Sequence, residues 1–287
     1  MKHPFTIVLI ILAVWLTAQS IGLLVVEHYG VTELPSGVER PDTDASGVLW
    51  YLIAGISIGT ILILLLARFN QRRLWAVWFS LAVFMLSYVA LAAFVPLIFA
   101  LLFAGFFVWL KLDARLHWTA RNIPELFLYA GIAGVFAPLL TIPIALLILV
   151  AISVYDAIAV WKSKHMISLA RFQMESGHFA GFSMPRSPSV AVRTTQPSKR
   201  GTRKQKRTTK TDTGGSAILG GGDFAFPLLY AGTVLLSLGW IPALGAVIGG
   251  YFGLLGLFTL SHENRFYPAM PFLAVGLVLG SLVGTLI

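Results

Sequence analysis

The chain has no cysteine, which removes disulfides, a thiol nucleophile and Cys-ligated metal sites together. It is also poor in charge. Only 11% of its 287 residues are Asp, Glu, Lys or Arg, against about 25% in a soluble domain, while 57% are hydrophobic. No His-Glu-x-x-His pattern occurs, so the usual zinc-hydrolase arrangement is excluded. No expected span interior offers a histidine to a membrane serine nucleophile, and nothing in the pattern asks for a metal or other cofactor. An ordinary soluble fold is excluded as well. What is present is the composition of a polytopic helical membrane protein.

The net charge of +9 is concentrated in one place. Residues 162–215 carry twelve Lys and Arg against Glu175 and Asp212, so the whole basic excess resides there. Cytoplasmic loops of membrane proteins carry this bias, and anionic headgroups are a compatible partner for the loop. Aromatic residues are not interleaved with the charges of 199–210, which argues against a nucleic-acid partner. Residues 166–182 contain Ile167, Leu169, Phe172, Phe179 and Phe182, enough for a short interfacial helix. Residues 183–215, rich in Pro, Ser, Thr, Gly, Lys and Arg, are expected to be disordered.

A helical span needs about 20 mostly apolar residues. Nine segments qualify as expected spans: 4–26, 47–67, 74–94, 96–110, 123–140, 141–161, 216–239, 240–260 and 268–287. The apolar run of the first exceeds a signal-peptide core of about 7–15 residues, so it reads as a retained helix. The loop charges alternate consistently across these spans. Lys2, the arginines 68, 72 and 73, the group Lys111, Arg115 and Arg121, the basic loop and Arg265 fall on one side. The acidic stretch 27–46 falls on the other. The N-terminus is then cytoplasmic and the C-terminus external.

Two carboxylates interrupt otherwise apolar segments: Asp156 in the sixth span and Asp223 in the seventh. A charged group at mid-bilayer costs at least about 2.5–3.5 kcal/mol, so such residues face partners or water-filled cavities. Asp156 lies five residues before Trp161 and Asp223 seven after Ser216. At 1.5 Å per residue they sit ~7.5 and ~10 Å from the same membrane face, on neighbouring antiparallel helices. The spacing predicts a pair. Two close carboxylates share a proton; the ionised one activates water and the neutral one polarises a carbonyl. Read from the pair alone, a cation or proton pathway is the alternative.

Gly220, Gly221 and Gly222 precede Asp223 directly, weakening helix there and leaving room for another backbone. Pro268-Ala269-Met270-Pro271 opens the last span at the level of both aspartates and strips two N–H donors from its first turn. The rows Gly245/Gly249/Gly253 and Gly276/Gly280/Gly284 read as small-residue helix packing. Gly55-Ile56-Ser57-Ile58-Gly59 spells a nucleophile elbow but lies mid-helix. Asn122-Ile123-Pro124-Glu125 reads as a helix start, with Glu125 in a capping-box role.

Tyr155-Asp156 in the sixth span, Gly220-Gly221-Gly222-Asp223 in the seventh and Pro268-Ala269-Met270 in the ninth together resemble the presenilin/signal peptide peptidase family, most closely its archaeal homologues. The likeness covers essentially the whole chain. It implies an all-α, presenilin-like membrane fold of nine transmembrane helices. It also implies an intramembrane aspartyl endopeptidase that acts on transmembrane-helix substrates, with Asp156 and Asp223 as its dyad. Gly220, Gly221, Gly222, Tyr155, Pro268, Ala269, Met270 and Pro271 become the candidate substrate contacts. Met270 stands where the family usually has Leu, a mild change of similar volume. Pro242-Ala243-Leu244 spells the family's motif literally but falls at the opposite end of the membrane from the aspartates. A prepilin-peptidase-like enzyme, which also uses Gly-x-Gly-Asp, is the second protease reading. The organisation expected is residues 1–161 with six helices, a basic cytoplasmic loop at 162–215, and 216–287 with three helices. Homo-oligomerisation is left open.

Overall fold

The computed structural model describes residues 5–40, 45–113, 115–163, 172–173, 176, 179–184, 217–260 and 267–287. Nine α-helices run through them: α1 (Phe5–Val31), α2 (Ala45–Arg68), α3 (Arg72–Ala92), α4 (Leu97–Leu112), α5 (Trp118–Phe136), α6 (Ile142–Ile158), α7 (Gly222–Leu238), α8 (Trp240–Leu260) and α9 (Met270–Thr285). A 3₁₀ turn, Ala137–Leu139, leads from α5 to α6, and a π turn, Ala159–Ser163, extends α6. Between α6 and α7 lies an antiparallel ribbon of β1 (Gly181–Met184) and β2 (Ala217–Gly220).

Helix breaks follow local chemistry. Pro96 stands directly before α4 in an extended conformation, as a residue lacking an N–H should. Gly239 alone separates α7 from α8 at φ +89°, a left-handed turn that a side chain would strain. Pro143 occupies the first turn of α6, where the missing donor matters least.

Among the described residues, six helices are long and apolar enough to cross a membrane: α1, α2, α3, α5 and α8, and α6 with its π turn. The others are apolar but shorter, α4 and α9 with 16 residues and α7 with 17. That is roughly 24–26 Å of helix against ~30 Å of hydrocarbon. In α7 the shortfall has a visible cause. Within the expected span at 216–239, Ala217–Gly220 is strand, because Gly220 and Gly221 weaken helix there, and α7 begins only at Gly222.

Further expectations are corrected. α5 starts at Trp118, not at residue 123, and carries Pro124 inside it. Glu125 is therefore in the second turn of a formed helix, 1% exposed, and bonded to Lys111 and Tyr129 rather than to a helix end. Lys111 is likewise no loop charge; it is 4% exposed at the end of α4. Residues 166–182 lie mostly outside the described residues; Phe172 and Gln173 are helical, but Gly181 and Phe182 open β1. Ser183 and Met184, expected to be disordered, are strand, and 185–215 lies outside the described residues.

α1 is the central post. Its buried Val8, Leu12, Trp15, Ala18 and Leu23 face α5, α7 and α8 within the largest apolar cluster. α2 stands at the periphery with Trp50, Ile58 and Ile61 turned outward. An apolar surface of this breadth belongs against lipid. Gly55 and Gly59 meet nothing within 4 Å, so the elbow-like pattern is an open helix face. At the end of the bundle away from the aspartates, the Arg40 guanidinium ties the carbonyls of Tyr29 and Gly134 at 2.7 and 3.3 Å.

α8 and α9 approach backbone to backbone. A Cβ at Gly249 would stand 2.0 Å from the Gly276 carbonyl oxygen, and one at Gly280 would stand 2.0 Å from that of Gly245. The glycine rows are thus a packing seam. Its outer side forms an apolar groove of about 970 Å³ that reaches Pro271 but contains neither aspartate. Gly249→Val is expected to destabilise the protein by about 1–3 kcal/mol or more through overpacking. Gly256→Ala, with nothing within 4 Å of its new methyl group, should leave stability unchanged or raise it by up to about 1 kcal/mol. Thermal unfolding midpoints in one detergent compare the two.

Candidate active site

Asp156 lies in the last turn of α6 and is 8% exposed. Its Oδ2 accepts the backbone N–H of Met270 at 3.1 Å, and the Ala269 N–H also faces the carboxylate. Those amides open α9, where helical geometry leaves the first N–H groups without internal partners and the macrodipole is positive. Pro268 and Pro271 flank them and bring no N–H of their own. Pro268-Ala269-Met270-Pro271 thus narrows the free donors to those aimed at Asp156. The Met270 side chain is 2% exposed and packs in the core, so the motif needs its backbone there and only apolar bulk from its side chain.

Asp223 reaches the same place from the other side. It sits in the first turn of α7 rather than two turns inside a span, because β2 and the glycines replace the expected helix start. The Gly220 N–H faces its carboxylate, and the two aspartates are close enough to interact electrostatically. Asp156 at one helix's end and Asp223 at another's beginning are therefore brought together, as the antiparallel reading expects.

The α7 start is also held by α1. In a regular helix the Asp223 carbonyl would accept the N–H of residue 227, but that residue is Pro227, which has none. The Trp15 indole N–H takes that carbonyl at 2.9 Å, and Gln19 Nε2 donates to the Phe224 carbonyl at 3.1 Å. Trp15 and Gln19 are 0% exposed. Sequence reasoning passed over both; the available signal was a Trp and a Gln four apart on one face of an apolar helix.

The three glycines differ. A Cβ at Gly221 would fall 2.8 Å from the Tyr129 hydroxyl, whereas at Gly220 and Gly222 the nearest atoms are 3.4 Å away. At Gly220 that atom is Asp223 Oδ2. Gly220 ends β2 and pairs in register with Gly181, so the ribbon runs straight into the aspartate. Phe182 of β1 packs edge-on against Trp118 of α5, centroids 6.1 Å apart. Tyr155, 42% exposed, turns its ring to the outer surface beside Asp156. Pro242 lies against Gly284, a Cβ there falling 2.7 Å from its Cα. Gly284 is 14 residues along α9 from Met270, or ~21 Å. The literal Pro242-Ala243-Leu244 therefore stands far from Asp156.

A family model described as signal-peptide peptidase, presenilin aspartyl protease matches residues 10–287. The chain belongs to that family. It is an aspartic endopeptidase of the intramembrane-cleaving kind, which removes the prepilin-peptidase alternative. Its fold is similar to the structure of a presenilin family intramembrane aspartate protease in a C222 crystal form. The TM-score is 0.66 at 24% identity, over 97% of this chain and 98% of the other. A P2 form gives 0.64 at 24% identity over 96% of each chain. No curated protein matches the chain at significant similarity.

Trp15→Phe should cost about 1–3 kcal/mol, the penalty for an unpaired buried carbonyl. In a Pro227→Ala background the residue-227 amide can take over that carbonyl, so the same substitution should cost much less. A double-mutant cycle of unfolding free energies tests this; equal costs in both backgrounds would show that the indole bond does not replace the missing amide.

Proposed function

We propose that Asp156 and Asp223 are the catalytic pair, hydrolysing peptide bonds in transmembrane-helix substrates by direct activation of water. The observation that carries this reading is the convergence of two carboxylates on one site from separate helices, each with backbone N–H donors. In the proposed reaction the two groups share one proton. The ionised carboxylate takes a proton from the attacking water while the neutral one donates to the scissile carbonyl oxygen. Collapse of the tetrahedral intermediate passes a proton to the leaving amine and restores the shared state.

A substrate helix hides its carbonyls in its own hydrogen bonds, so the scissile segment must be extended first. The β1–β2 ribbon supports a route. It leads directly to Asp223, and an unwound substrate segment laid along its edge as a further strand would be held by main-chain bonds. The Pro268–Met270 backbone bounds the site on the other side. Tyr155, at the outer surface, is placed to meet the arriving helix.

In this reading all nine helices cross the membrane, with the N-terminus cytoplasmic and the C-terminus external. Burial of Lys111 in an ion pair takes one charge out of the loop argument, but the excess in 162–215 carries it alone. Residues 1–161 and 216–287 form the two halves that supply one aspartate each, joined by the basic segment 162–215.

The orientation sets substrate polarity: a helix with its N-terminus external, cut near the cytoplasmic face. Reconstitution with model helices of both orientations is expected to give cleavage of that one at least about tenfold faster; preference for the reverse would overturn the topology. Asp223→Ala should abolish cleavage and leave any cation flux across the vesicles unchanged. Lost flux with intact cleavage would favour an ion pathway instead.

A further inference from the structure

A second buried polar group lies beside Asp223 without touching either aspartate. Lys111 of α4 and Glu125 of α5 form an ion pair through Glu125 Oε1, their side chains only 6% and 2% exposed. The Lys111 ammonium also lies 5.4 Å from the centre of the Phe79 ring of α3. The other carboxylate oxygen, Oε2, accepts the Tyr129 hydroxyl one turn along α5. The Tyr129 ring then lies flat on Phe224, the residue after Asp223, with centroids 5.2 Å apart and planes 11° apart. Its hydroxyl fills the space above Gly221 where a side chain would otherwise stand, 2.8 Å from an ideal Cβ.

We infer that Tyr129 is a positioning residue for Asp223, with its hydroxyl held by the Glu125 side chain, whose charge Lys111 balances. The inference rests on the reading of Asp223 as one of the catalytic pair. A ring stacked on Phe224 would serve packing alone as phenylalanine. A clamp between α4 and α5 would need only the two charges. The arrangement adds a third member whose hydroxyl ties the charge pair to the turn that presents Asp223. In that turn the Phe224 and Ala225 amides donate to the Gly221 carbonyl at 3.1 and 3.0 Å. Gly221 and Phe224, the residues of this turn that Tyr129 lies against, bracket Gly222 and Asp223. A loosened Tyr129 would free the α7 start without removing any group that touches substrate.

The test is Tyr129→Phe in the full chain, read two ways at an unchanged unfolding midpoint. Hydrogen exchange at the Phe224 and Ala225 amides should quicken about tenfold or more, which reports the brace without any turnover. Cleavage of a model transmembrane helix should show kcat lowered about tenfold with KM within about twofold. Glu125→Gln alone strands the Lys111 charge in an apolar site. Lys111→Met with Glu125→Gln removes both charges yet keeps an acceptor for Tyr129, and should retain kcat within about threefold of wild type. Unchanged exchange in Tyr129→Phe would overturn the brace, and quickened exchange with unchanged kcat would overturn the positioning role. A wild type that cleaves nothing, beside quickened exchange in the variant, would overturn the catalytic reading and the positioning role with it, while the brace would stand.

Discussion

A backbone amide at the start of a helix has no partner inside that helix, and in an apolar bilayer it cannot turn to water. The bond from the Met270 N–H to Asp156 answers this need and that of the carboxylate together. It also joins α6 to α9, far apart in sequence, at one point. The β2–α7 junction works on the same terms. Pro227 leaves the Asp223 carbonyl without its helical donor, and the Trp15 indole supplies one from α1. The site is thus assembled from helix ends whose backbone groups are completed by other helices. Irregular backbone is tolerated at membrane depth only on that condition.

Rigidity is unevenly placed around this point. The α8–α9 seam fixes α9 along its length, so that its first turn arrives at Asp156 without freedom to slide. α1 runs through the centre and holds α7 by Trp15 and Gln19. α2, by contrast, turns one face of bulky apolar side chains, Trp50, Tyr51, Ile53, Ile58, Ile61, Leu64 and Leu65, to the outside. The ribbon of β1 and β2 is short, four residues on each strand, and leads to Asp223. Firm helices therefore flank a start of α7 that is not helical until Gly222.

Much of this was legible in the sequence, for physical reasons. Hydrophobic run length located the helices, since α8 is Trp240–Leu260 as read, and most other ends shifted by a few residues. Antiparallel neighbours on either side of one loop predicted that Asp156 and Asp223 would meet. The glycine rows announced a seam because only backbone contact requires them. Errors arose where a local rule met a tertiary partner. Pro124 read as a helix start, yet α5 runs through it, and Glu125 found Lys111 on another helix. Residues 217–220 counted toward a span by hydropathy, although Gly220 and Gly221 weaken helix there and the segment pairs with β1 instead. Trp15 and Gln19 stood out only as two polar groups on one face of an apolar helix, because the carbonyl that Pro227 leaves open does not name its donor until the opposite helix is known.

The central claim is that Asp156 and Asp223 act as one unit on one water. A unit of this kind is non-additive: removing either half removes the whole. Cleavage of a transmembrane model helix in vesicles should be measured for Asp156→Asn, Asp223→Asn and the double variant, each confirmed folded by its unfolding midpoint. The account predicts that each single substitution abolishes turnover as completely as the double. Substantial residual turnover in either single variant, with a further multiplicative loss in the double, would mean that the two carboxylates contribute independently and would contradict it.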